Sequence, residues 1–301
     1  MKSGFTAIIG RPNVGKSTLL NKILGQKIVI ATDKAQTTRK RIKGILTDKR
    51  GQIVFVDTPG VHKPLNKLGE FLLDEAKVSV PDTDLIIFLV DINDEPGKGD
   101  KWIAENILKE SNSPVFLVMN KADKSKNKSL YLKNQELYKN LVNEFANGYK
   151  NSLIVSAQTG DNVEKLIETV FELLPEGEKF YPDDIVTEES MRDVTEEIIR
   201  EKILKNTKEE IPHSVAVQVE NYFEQEKIDK IYATIYCETQ SQKGILIGKG
   251  GSLLKTIGSE SRLDLENITE KKVYLELKVK VEKDWRKKDK SLRKFGYVEE
   301  K

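Results

Sequence analysis

Cysteine and histidine are almost absent from this chain of 301 residues. Its single cysteine, Cys237, excludes an internal disulfide framework and a metal site built from several cysteines. Cys237 falls within an alternating strand pattern, and we expect it to be a small buried hydrophobic residue. Of the two histidines, His213 has no nucleophile or acidic motif around it, and we assign it no chemistry.

Long apolar runs are also missing. The longest uninterrupted run, Leu85–Val90, is far shorter than the roughly 18 apolar residues that a membrane span needs. The chain opens with Met1-Lys2-Ser3-Gly4 and enters its first apolar run directly, so we expect no secretory signal peptide. Hydrophobic residues make up 38% and charged residues 33% of the chain, which predicts a folded cytoplasmic protein. The length is sufficient for two domains.

Charge is strongly segregated although the net charge is only +2. Residues 1–50 hold 12 basic against 2 acidic residues, residues 151–200 hold 4 against 13, and residues 243–301 hold 16 against 10. Because the local field decides which partners are attracted, the near-neutral total does not exclude a polyanionic partner. A solvated helix face is the alternative explanation of each basic stretch.

The first 175 residues alternate short aliphatic runs with helical patterns. The runs are Phe5–Ile9, Ile53–Val56, Leu85–Val90, Val115–Val118 and Leu153–Val155, and the helices are predicted near 16–24, 67–80, 100–110, 129–146 and 161–174. Fully apolar strands between helices are typical of a mostly parallel sheet that is buried on both faces. We therefore predict an α/β domain over residues 1–175, with an edge strand near 40–47.

A different pattern follows an acidic stretch. Residues 176–189 contain Pro182 and many acids, and we interpret them as an exposed linker. Beyond it, residues 190–301 combine strand-like alternation near 215–219, 231–237 and 273–281 with helices near 190–205, 252–259 and 282–294. Strands that pair across a small sheet with helices on one side predict a smaller α+β domain.

A phosphate-binding motif lies between the first strand and the first helix. It fits the pattern G-x-x-x-x-G-K-[ST] and consists of Gly10, Arg11, Pro12, Asn13, Val14, Gly15, Lys16 and Ser17, with Thr18 next in the helix. Backbone N–H groups and the helix N-terminus present positive potential to phosphates, and the glycines let the backbone approach closely. Lys16 is predicted to reach the β and γ phosphates, and the Ser17 hydroxyl to bind Mg²⁺.

Three further motifs follow the carboxyl ends of predicted strands, where ligands bind in open α/β sheets. They are Asp57-Thr58-Pro59-Gly60, Asn120-Lys121-Ala122-Asp123 and Ser156-Ala157. Asp57 can hold Mg²⁺ through water. The Asp123 carboxylate can accept two hydrogen bonds from guanine, whereas adenine would leave it unpaired at a cost of several kcal/mol. The four motifs in order predict a GTP site.

At this point the chain resembles the Ras-like GTPases of the translation-factor class. Gln36-Thr37-Thr38-Arg39 matches the switch segment of that class. The resemblance implies that one threonine, Thr38 in preference to Thr37, closes on Mg²⁺ and the γ-phosphate, joining Ser17 and Asp57 as metal-binding residues. Contacts made only with the γ-phosphate would release this segment after hydrolysis.

The expected catalytic residues are Lys16, Asn13, Thr38 and Gly60. In Ras-like members that keep a glutamine after Gly60, that side chain orients water, but here the position is Val61, which cannot do so. Related GTPases with an asparagine at the position of Asn13 coordinate a potassium ion, so the resemblance suggests K⁺ beside Mg²⁺. His62 is expected to be a surface residue of the second switch.

A second glycine motif lies in the C-terminal half. Gly248-Lys249-Gly250-Gly251 follows an aliphatic stretch and precedes a helix, as does the G-x-x-G signature of KH domains. The glycines permit close approach of a nucleic-acid backbone, Lys249 supplies charge, and bases can lie on the aliphatic groove beside the helix.

Taken together, the chain resembles the bacterial Era GTPases over essentially its full length. The matching stretches include Asp57–Pro64, Ser214–Val217, Gln242–Ile245 and Lys283–Arg286. The resemblance implies a GTP-gated chaperone of small ribosomal subunit assembly whose KH domain has the prokaryotic topology and binds the 3′ end of small-subunit ribosomal RNA. We expect the protein to be a monomer. The RNA groove would then involve Ile245, Ile247, Gly248, Lys249, Gly250, Gly251 and Lys255.

One alternative is a signalling GTPase that docks on a membrane or a protein and carries a vestigial KH domain. The segment Val281–Lys294 holds seven basic residues against three acids, with Trp285 among them. Such a segment could grip phosphates or touch the anionic inner face of the cell membrane. An ordinary solvated helix is the other interpretation of the segment.

Overall fold

The computed structural model describes residues 1–32, 34, 37–39, 41–60, 67–78, 83–124, 127–208 and 211–297. The chain divides into two compact units. One comprises Met1–Leu65 with Gly69–Glu188, and the other comprises Asn66–Leu68 with Glu189–Lys301. Among the helices in the described ranges, none is long and apolar enough to cross a membrane.

The first unit is a sheet flanked by helices. Its strands are β1 (Lys2–Ile9), β2 (Ile42–Asp48), β3 (Gly51–Asp57), β4 (Leu85–Asp91), β5 (Val115–Asn120) and β6 (Tyr149–Ile154). Its helices are α1 (Lys16–Leu24), α2 (Lys67–Val78), α3 (Lys98–Ile103, continued by a π-helical turn Ala104–Leu108), α4 (Lys128–Phe145) and α5 (Val163–Leu173).

The strand order is β2-β3-β1-β4-β5-β6, and only the β2–β3 pairing among these six strands is antiparallel. The residues of β3, β4 and β5 are buried throughout, because helices cover both faces of the sheet. Two apolar clusters result, one on each face, centred on residues such as Phe55 and Phe88. The predicted α/β class with a mostly parallel sheet and an antiparallel edge strand is confirmed.

The acidic segment after α5 runs along the first unit. The backbone N–H of Ser3 donates to the Pro175 carbonyl, and that of Ile45 in edge strand β2 donates to the Val186 carbonyl. Between these points the buried Gln52 side chain binds the backbone of Phe180 and Tyr181. Residues 176–188, which are all but the last residue of the segment 176–189 interpreted from sequence as an exposed linker, therefore form a strap against the first unit.

The second unit contains a three-stranded sheet with its helices. The strands are β7 (Ala216–Phe223), β8 (Ile228–Cys237) and β9 (Lys272–Val281), and the helices are α6 (Met191–Asn206), α7 (Ile211–Ser214), α8 (Gln240–Ile247), α9 (Ser252–Thr269) and α10 (Asp289–Lys294). β7 pairs antiparallel and β9 parallel with the central strand β8. One apolar cluster joins this sheet to α6 and α9 and includes the buried Cys237. This is the predicted smaller α+β unit.

The structure differs from the sequence-based expectation around the glycine motif. The aliphatic stretch before Gly248 is a helix, α8, which Thr239 caps by accepting a hydrogen bond from the Gln242 N–H. Helix α9 extends to Thr269, ten residues beyond its expected end. Its buried residues Ile257, Ser261 and Leu265 recur every four residues, close to one helical turn, so one face of the longer helix is buried.

The single basic helix predicted over 282–294 is wrong. A 3₁₀ turn spans Trp285–Lys287 and α10 follows, because Asp284 adopts a left-handed conformation and Lys288 an extended one. Trp285 is fully buried, donates from Nε1 to the Ser214 carbonyl at 2.8 Å and packs against aromatic rings of the C-terminal residues. It therefore anchors the segment to the second unit instead of facing the surface.

Candidate functional site

The phosphate-binding loop joins β1 to α1. Gly15, immediately before α1, has φ +100°, and a Cβ there would lie 2.4 Å from Asn120 Nδ2, so the position requires glycine. The Lys16 side chain is buried, and its Nζ donates to the Gly10 and Arg11 carbonyls at 3.0 Å each. Burial lowers the pKa of Lys16 to about 8 against the opposing effect of Asp57.

The remaining residues of this loop take separate positions. Asn13 is exposed and has φ +66°, whereas Val14 is buried in the core. Thr18 is half-buried on α1. A Cβ on Gly60 would come within 2.8 Å of Pro12 Cα, so the Asp-x-x-Gly segment passes close to the loop.

Three oxygen-bearing side chains meet beside Lys16. Ser17 Oγ lies 2.9 Å from Thr38 Oγ1 and 3.0 Å from Asp57 Oδ2, and Thr38 Oγ1 lies 3.3 Å from the same carboxylate oxygen. They come from α1, from the segment before β2 and from the end of β3. The Thr37 hydroxyl donates to the Lys34 carbonyl and contacts Thr32.

The Asp57 carboxylate is fully buried, and burial raises its pKa to about 6 although Lys16, Ser17 and Thr38 act in the opposite direction. Its second oxygen, Oδ1, is buried and lacks a hydrogen-bond partner within the described part of the chain. A carboxylate and two hydroxyl oxygens are the ligands that a hard cation such as Mg²⁺ prefers. The donor set and the unpartnered oxygen therefore fit Mg²⁺.

The other residues predicted around Asp57 differ in their contacts. The Thr58 hydroxyl is buried and donates to the Ile8 carbonyl at 2.8 Å, so it supports the sheet. Pro59 and Gly60 follow in the described chain. Val61 and His62, which the sequence places in the second switch, and Gln36 of the first switch lie outside the described residues.

Asn120 connects two loops of the predicted base-binding region. Its Nδ2 donates to the Val14 carbonyl and its Oδ1 accepts from the Ala157 N–H, each at 2.9 Å. Ser156 donates from Oγ to Asp123 Oδ1 at 2.5 Å, which fixes one oxygen of that carboxylate. The structure thus brings the two motifs Asn120–Asp123 and Ser156–Ala157 together with the phosphate-binding loop at Val14.

Asp91 and Asn93, which the sequence analysis did not identify, hold the base-binding loop. Lys121 has a left-handed backbone with φ +66°, and its Nζ lies 2.8 Å from Asp91 Oδ2. Asn93 donates from Nδ2 both to the Lys121 carbonyl and to Asp91 Oδ1. Asp91 is the last residue of buried strand β4, and a carboxylate at that end of the sheet was the available signal.

The glycine motif of the second unit forms an open loop between α8 and α9. Gly248, Gly250 and Gly251 have φ values of +72°, +61° and +81°, and side chains there would be strained. Apart from its chain neighbours, no atom of the described residues lies within 4 Å of a Cβ built on Gly250 or on Gly251, so the backbone is accessible from that side.

The side chains around this loop combine charge with apolar surface. Lys249 and Lys255 are exposed, and Ile245 is 48% exposed although it is aliphatic. Ile247 is partly buried against the core of the unit. A charged, exposed loop beside an accessible aliphatic side chain is suited to a nucleic-acid backbone with its bases.

Comparison with known proteins agrees with this two-part arrangement. A family model described as 50S ribosome-binding GTPase matches residues 5–121, and a KH domain model matches residues 210–286. GTPase Era of Staphylococcus haemolyticus is 47% identical over 300 residues, which cover 99% of this chain and 98% of that protein.

Two solved structures share the fold over nearly the whole chain. The crystal structure of an Aquifex aeolicus Era variant bound to GDP and aluminium fluoride has a TM-score of 0.92 at 38% identity, covering 99% of this chain and 100% of the other. Era in complex with MgGDPNP and nucleotides 1506–1542 of 16S ribosomal RNA has a TM-score of 0.92 at 37% identity, with the same coverage. The chain therefore belongs to the Era family of GTPases.

Proposed function

We propose that this GTPase is a switch that binds the 3′ end of small-subunit ribosomal RNA and assists assembly of the small ribosomal subunit. One observation carries the proposal. The chain combines a buried lysine and a three-oxygen cluster in one unit with an exposed glycine loop in the other. The Era complex that shares this fold holds MgGDPNP and a 16S ribosomal RNA segment together.

Mg²⁺ is the proposed metal, held by Ser17 and Thr38 with Asp57 acting through water. Mg²⁺ bound there would neutralise negative charge on the phosphate oxygens. The protein supplies the rigid support, because Asp57 ends a fully buried strand and Ser17 lies in the first turn of α1. Thr38 belongs to the segment before β2, so its contact is the one that we expect to depend on the γ-phosphate.

Lys16 and the loop backbone bind the phosphates in this proposal. The Lys16 ammonium exchanges its two carbonyl partners for phosphate oxygens, and the amide groups of residues 13–18 face the same phosphates. Gly60 lies close to Pro12, and we assign its backbone to the γ-phosphate.

Asp123 selects guanine, since its carboxylate pairs with two donors that adenine lacks. Asn120 keeps the base loop against the phosphate loop by donating to the Val14 carbonyl. The Ala157 N–H donates to Asn120 and the Ser156 hydroxyl to Asp123, which hold the two side chains in place. Lys121, held by Asp91, completes this region.

We also propose that Asn13 contributes to a potassium site that supports hydrolysis. The Asn13→Gly variant tests this, because glycine keeps the left-handed backbone at φ +66° while removing the side-chain oxygen. Wild-type protein is expected to hydrolyse GTP about tenfold faster in potassium than in sodium chloride, and the variant to lose that difference. Unchanged GDP affinity is the control for the loop. Equal wild-type rates in the two salts would reject the potassium site.

We assign the GTPase domain to residues 1–175, the linker to 176–189 and the KH domain to 190–301. The RNA groove is assigned to the loop Gly248–Gly251, with Ile245, Ile247 and Lys255 beside it. We propose a cytoplasmic monomer. The burial of Trp285 does not favour the alternative in which the basic C-terminal segment contacts an anionic membrane.

The RNA assignment is tested by reversing one charge. Lys249→Glu should weaken binding of the small-subunit ribosomal RNA 3′ end by at least about tenfold, because the loop and the phosphates would then repel each other. Lys227→Glu is the matched control, since Lys227 is exposed on the hairpin between β7 and β8, in the same unit. Equal losses in both variants would mean that general charge, not the glycine loop, attracts RNA.

The same titration separates the alternative function. If wild-type protein bound vesicles containing anionic lipid more tightly than RNA at the same salt concentration, the membrane-docked signalling GTPase would replace the ribosome-assembly proposal. The assignment of GTPase activity would not depend on that outcome.

A further inference from the structure

The Arg11 side chain leaves the phosphate-binding loop and contacts two carboxylates beyond β4. Its Nη2 donates to Asp94 Oδ2 at 2.9 Å, and its Nε lies 3.0 Å from Asp100 Oδ1. Asp94 belongs to the connection after β4, whereas Asp100 lies in the first turn of α3. A single guanidinium therefore bridges the loop to the start of a helix that lies apart from it in sequence.

The two carboxylates differ sharply in their surroundings. The Asp94 side chain is 57% exposed, whereas that of Asp100 is fully buried. Asp100 Oδ2 accepts from the Gly97 N–H at 2.9 Å and from the Tyr138 hydroxyl at 3.4 Å, so α3 and α4 both fix its position. Burial is the main influence on the pKa of Asp100 and raises it. A buried carboxylate of this kind needs a cationic partner, and Arg11 provides one.

The aliphatic part of Arg11 is also held. A Cβ built on Gly99 would lie 3.2 Å from Arg11 Cδ and 3.4 Å from its Cγ, so the stem lies directly over the backbone of α3. A glycine at that position leaves room for the arginine. The contact restricts the rotamers of Arg11 between its two ends.

The backbone of Arg11 faces the nucleotide site. Its carbonyl accepts from Lys16 Nζ at 3.0 Å, and residues 13–18 of the same loop supply the amide groups that we assign to the phosphates. One residue thus joins a rigid buried carboxylate through its side chain to the phosphate-binding backbone through its main chain. Displacing a ligand-binding backbone by about 1 Å is enough to weaken its function severely.

We propose that Arg11 and Asp100 form a positioning pair that holds the phosphate-binding loop in the geometry that binds the β-phosphate of GDP and GTP. The pair supports the loop through the Arg11 side chain, and we assign it no contact with the reacting atoms. The inference rests on the proposed nucleotide site at Lys16 and Ser17.

The test compares GDP affinity in full-length variants at a temperature well below their unfolding midpoints. Arg11→Met keeps the stem over Gly99 and removes the charge, and Asp100→Asn keeps the shape and removes its partner. Each should weaken GDP binding about tenfold, which corresponds to about 1.4 kcal/mol. The double variant should lose no more than the weaker-binding single variant, because both changes break one interaction.

Asp94→Asn is the matched control. It removes the exposed contact of the same guanidinium. Because exposed ion pairs contribute little free energy, GDP affinity should stay within about twofold of wild type. Preference for GDP over ADP should remain unchanged in all variants, since the base loop at Asp123 is intact. A general loss of structure would instead lower the unfolding midpoint without a selective loss of phosphate binding.

Wild-type GDP affinity in Arg11→Met would overturn the proposal, as would losses in the two single variants that simply add in the double variant. Arg11→Met keeps the test decisive if Asp100→Asn does not fold, because the Arg11 side chain is 25% exposed. Lys16→Ala is the reference for the site itself. Wild-type GDP affinity in Lys16→Ala would mean that the nucleotide site is wrongly assigned, whereas a loss there alone would reject only the positioning pair.

Discussion

At the scale of single residues, the nucleotide site keeps two ionisable side chains in surroundings that oppose their charge. Burial lowers the pKa of Lys16 to about 8 and raises that of Asp57 to about 6. Such groups gain more from a charged ligand than exposed ones do, because their desolvation has already occurred on folding. We therefore expect phosphate and Mg²⁺ to stabilise this region strongly when they bind.

Thr38 and Thr37 provide a matched pair for testing the first switch. Thr38→Ala should slow GTP hydrolysis by at least about tenfold and weaken binding of a GTP analogue with Mg²⁺, while GDP affinity changes little. The reason is that the Thr38 hydroxyl lies with Ser17 and Asp57, at the position assigned to Mg²⁺ and the γ-phosphate. Single-turnover hydrolysis and nucleotide titrations measure these effects.

Thr37→Ala is the control for that change, because its hydroxyl binds the Lys34 carbonyl instead. It should retain most of the wild-type rate. If Thr37→Ala were the more damaging substitution, the preference for Thr38 as the switch threonine would be wrong.

The sequence could identify Lys16, Asp57, Asn120 and Asp123 because each belongs to a short motif at a predicted strand end. It could not identify the residues that hold these motifs in place. Asp91 at the end of β4 and Asn93 just beyond it contact Lys121, and Asp100 reaches Arg11 from a helix 89 positions away in sequence. Such contacts depend on strand order and side-chain direction, which short motifs do not contain.

At the scale of secondary-structure elements, the buried strands were the most predictable feature. β4 and β5 are continuous apolar runs, and such runs are typical of a parallel sheet covered on both faces. Helix α8 was not predicted, since it is short and contains Gly244. The prediction of one C-terminal helix was wrong for another reason. The backbone conformations of Asp284 and Lys288 interrupt the helix, and composition does not reveal them.

The strap formed by residues 176–188 gives a prediction at this scale. Gln52 is fully buried and makes hydrogen bonds to the backbone of Phe180 and Tyr181 and to Thr47. Gln52→Met keeps the length of the side chain but leaves those backbone groups without their partner. The free energy of unfolding should fall by about 1–3 kcal/mol, measured by urea denaturation.

Limited proteolysis should detect the same change locally, with faster cleavage within residues 176–188. Glu188→Gln is the control, because it breaks the exposed ion pair with Lys43 and should cost less than about 1 kcal/mol. Equal protection of the strap in wild type and Gln52→Met would show that Gln52 does not hold it.

At the scale of the whole molecule, the chain joins a nucleotide switch to an RNA-binding unit through this strap. The strap pairs with edge strand β2, since the Ile45 N–H donates to the Val186 carbonyl, and β2 directly follows the segment that contains Thr38. Ser190 then caps α6, the first helix of the second unit. We therefore expect a γ-phosphate that repositions Thr38 to act on a strand that contacts the chain leading to the KH unit.

This connection predicts thermodynamic coupling between GTP and RNA. Full-length protein with a GTP analogue and Mg²⁺ should bind the small-subunit ribosomal RNA 3′ end more tightly than with GDP, by about 5- to 150-fold if the coupling is of ordinary size. RNA must then increase the affinity for the analogue relative to GDP by the same factor, because the two equilibria form a closed cycle. Thr38→Ala should reduce both factors together. Tight RNA binding that is identical in the two nucleotide states would mean that the strap transmits nothing and that the two units act independently.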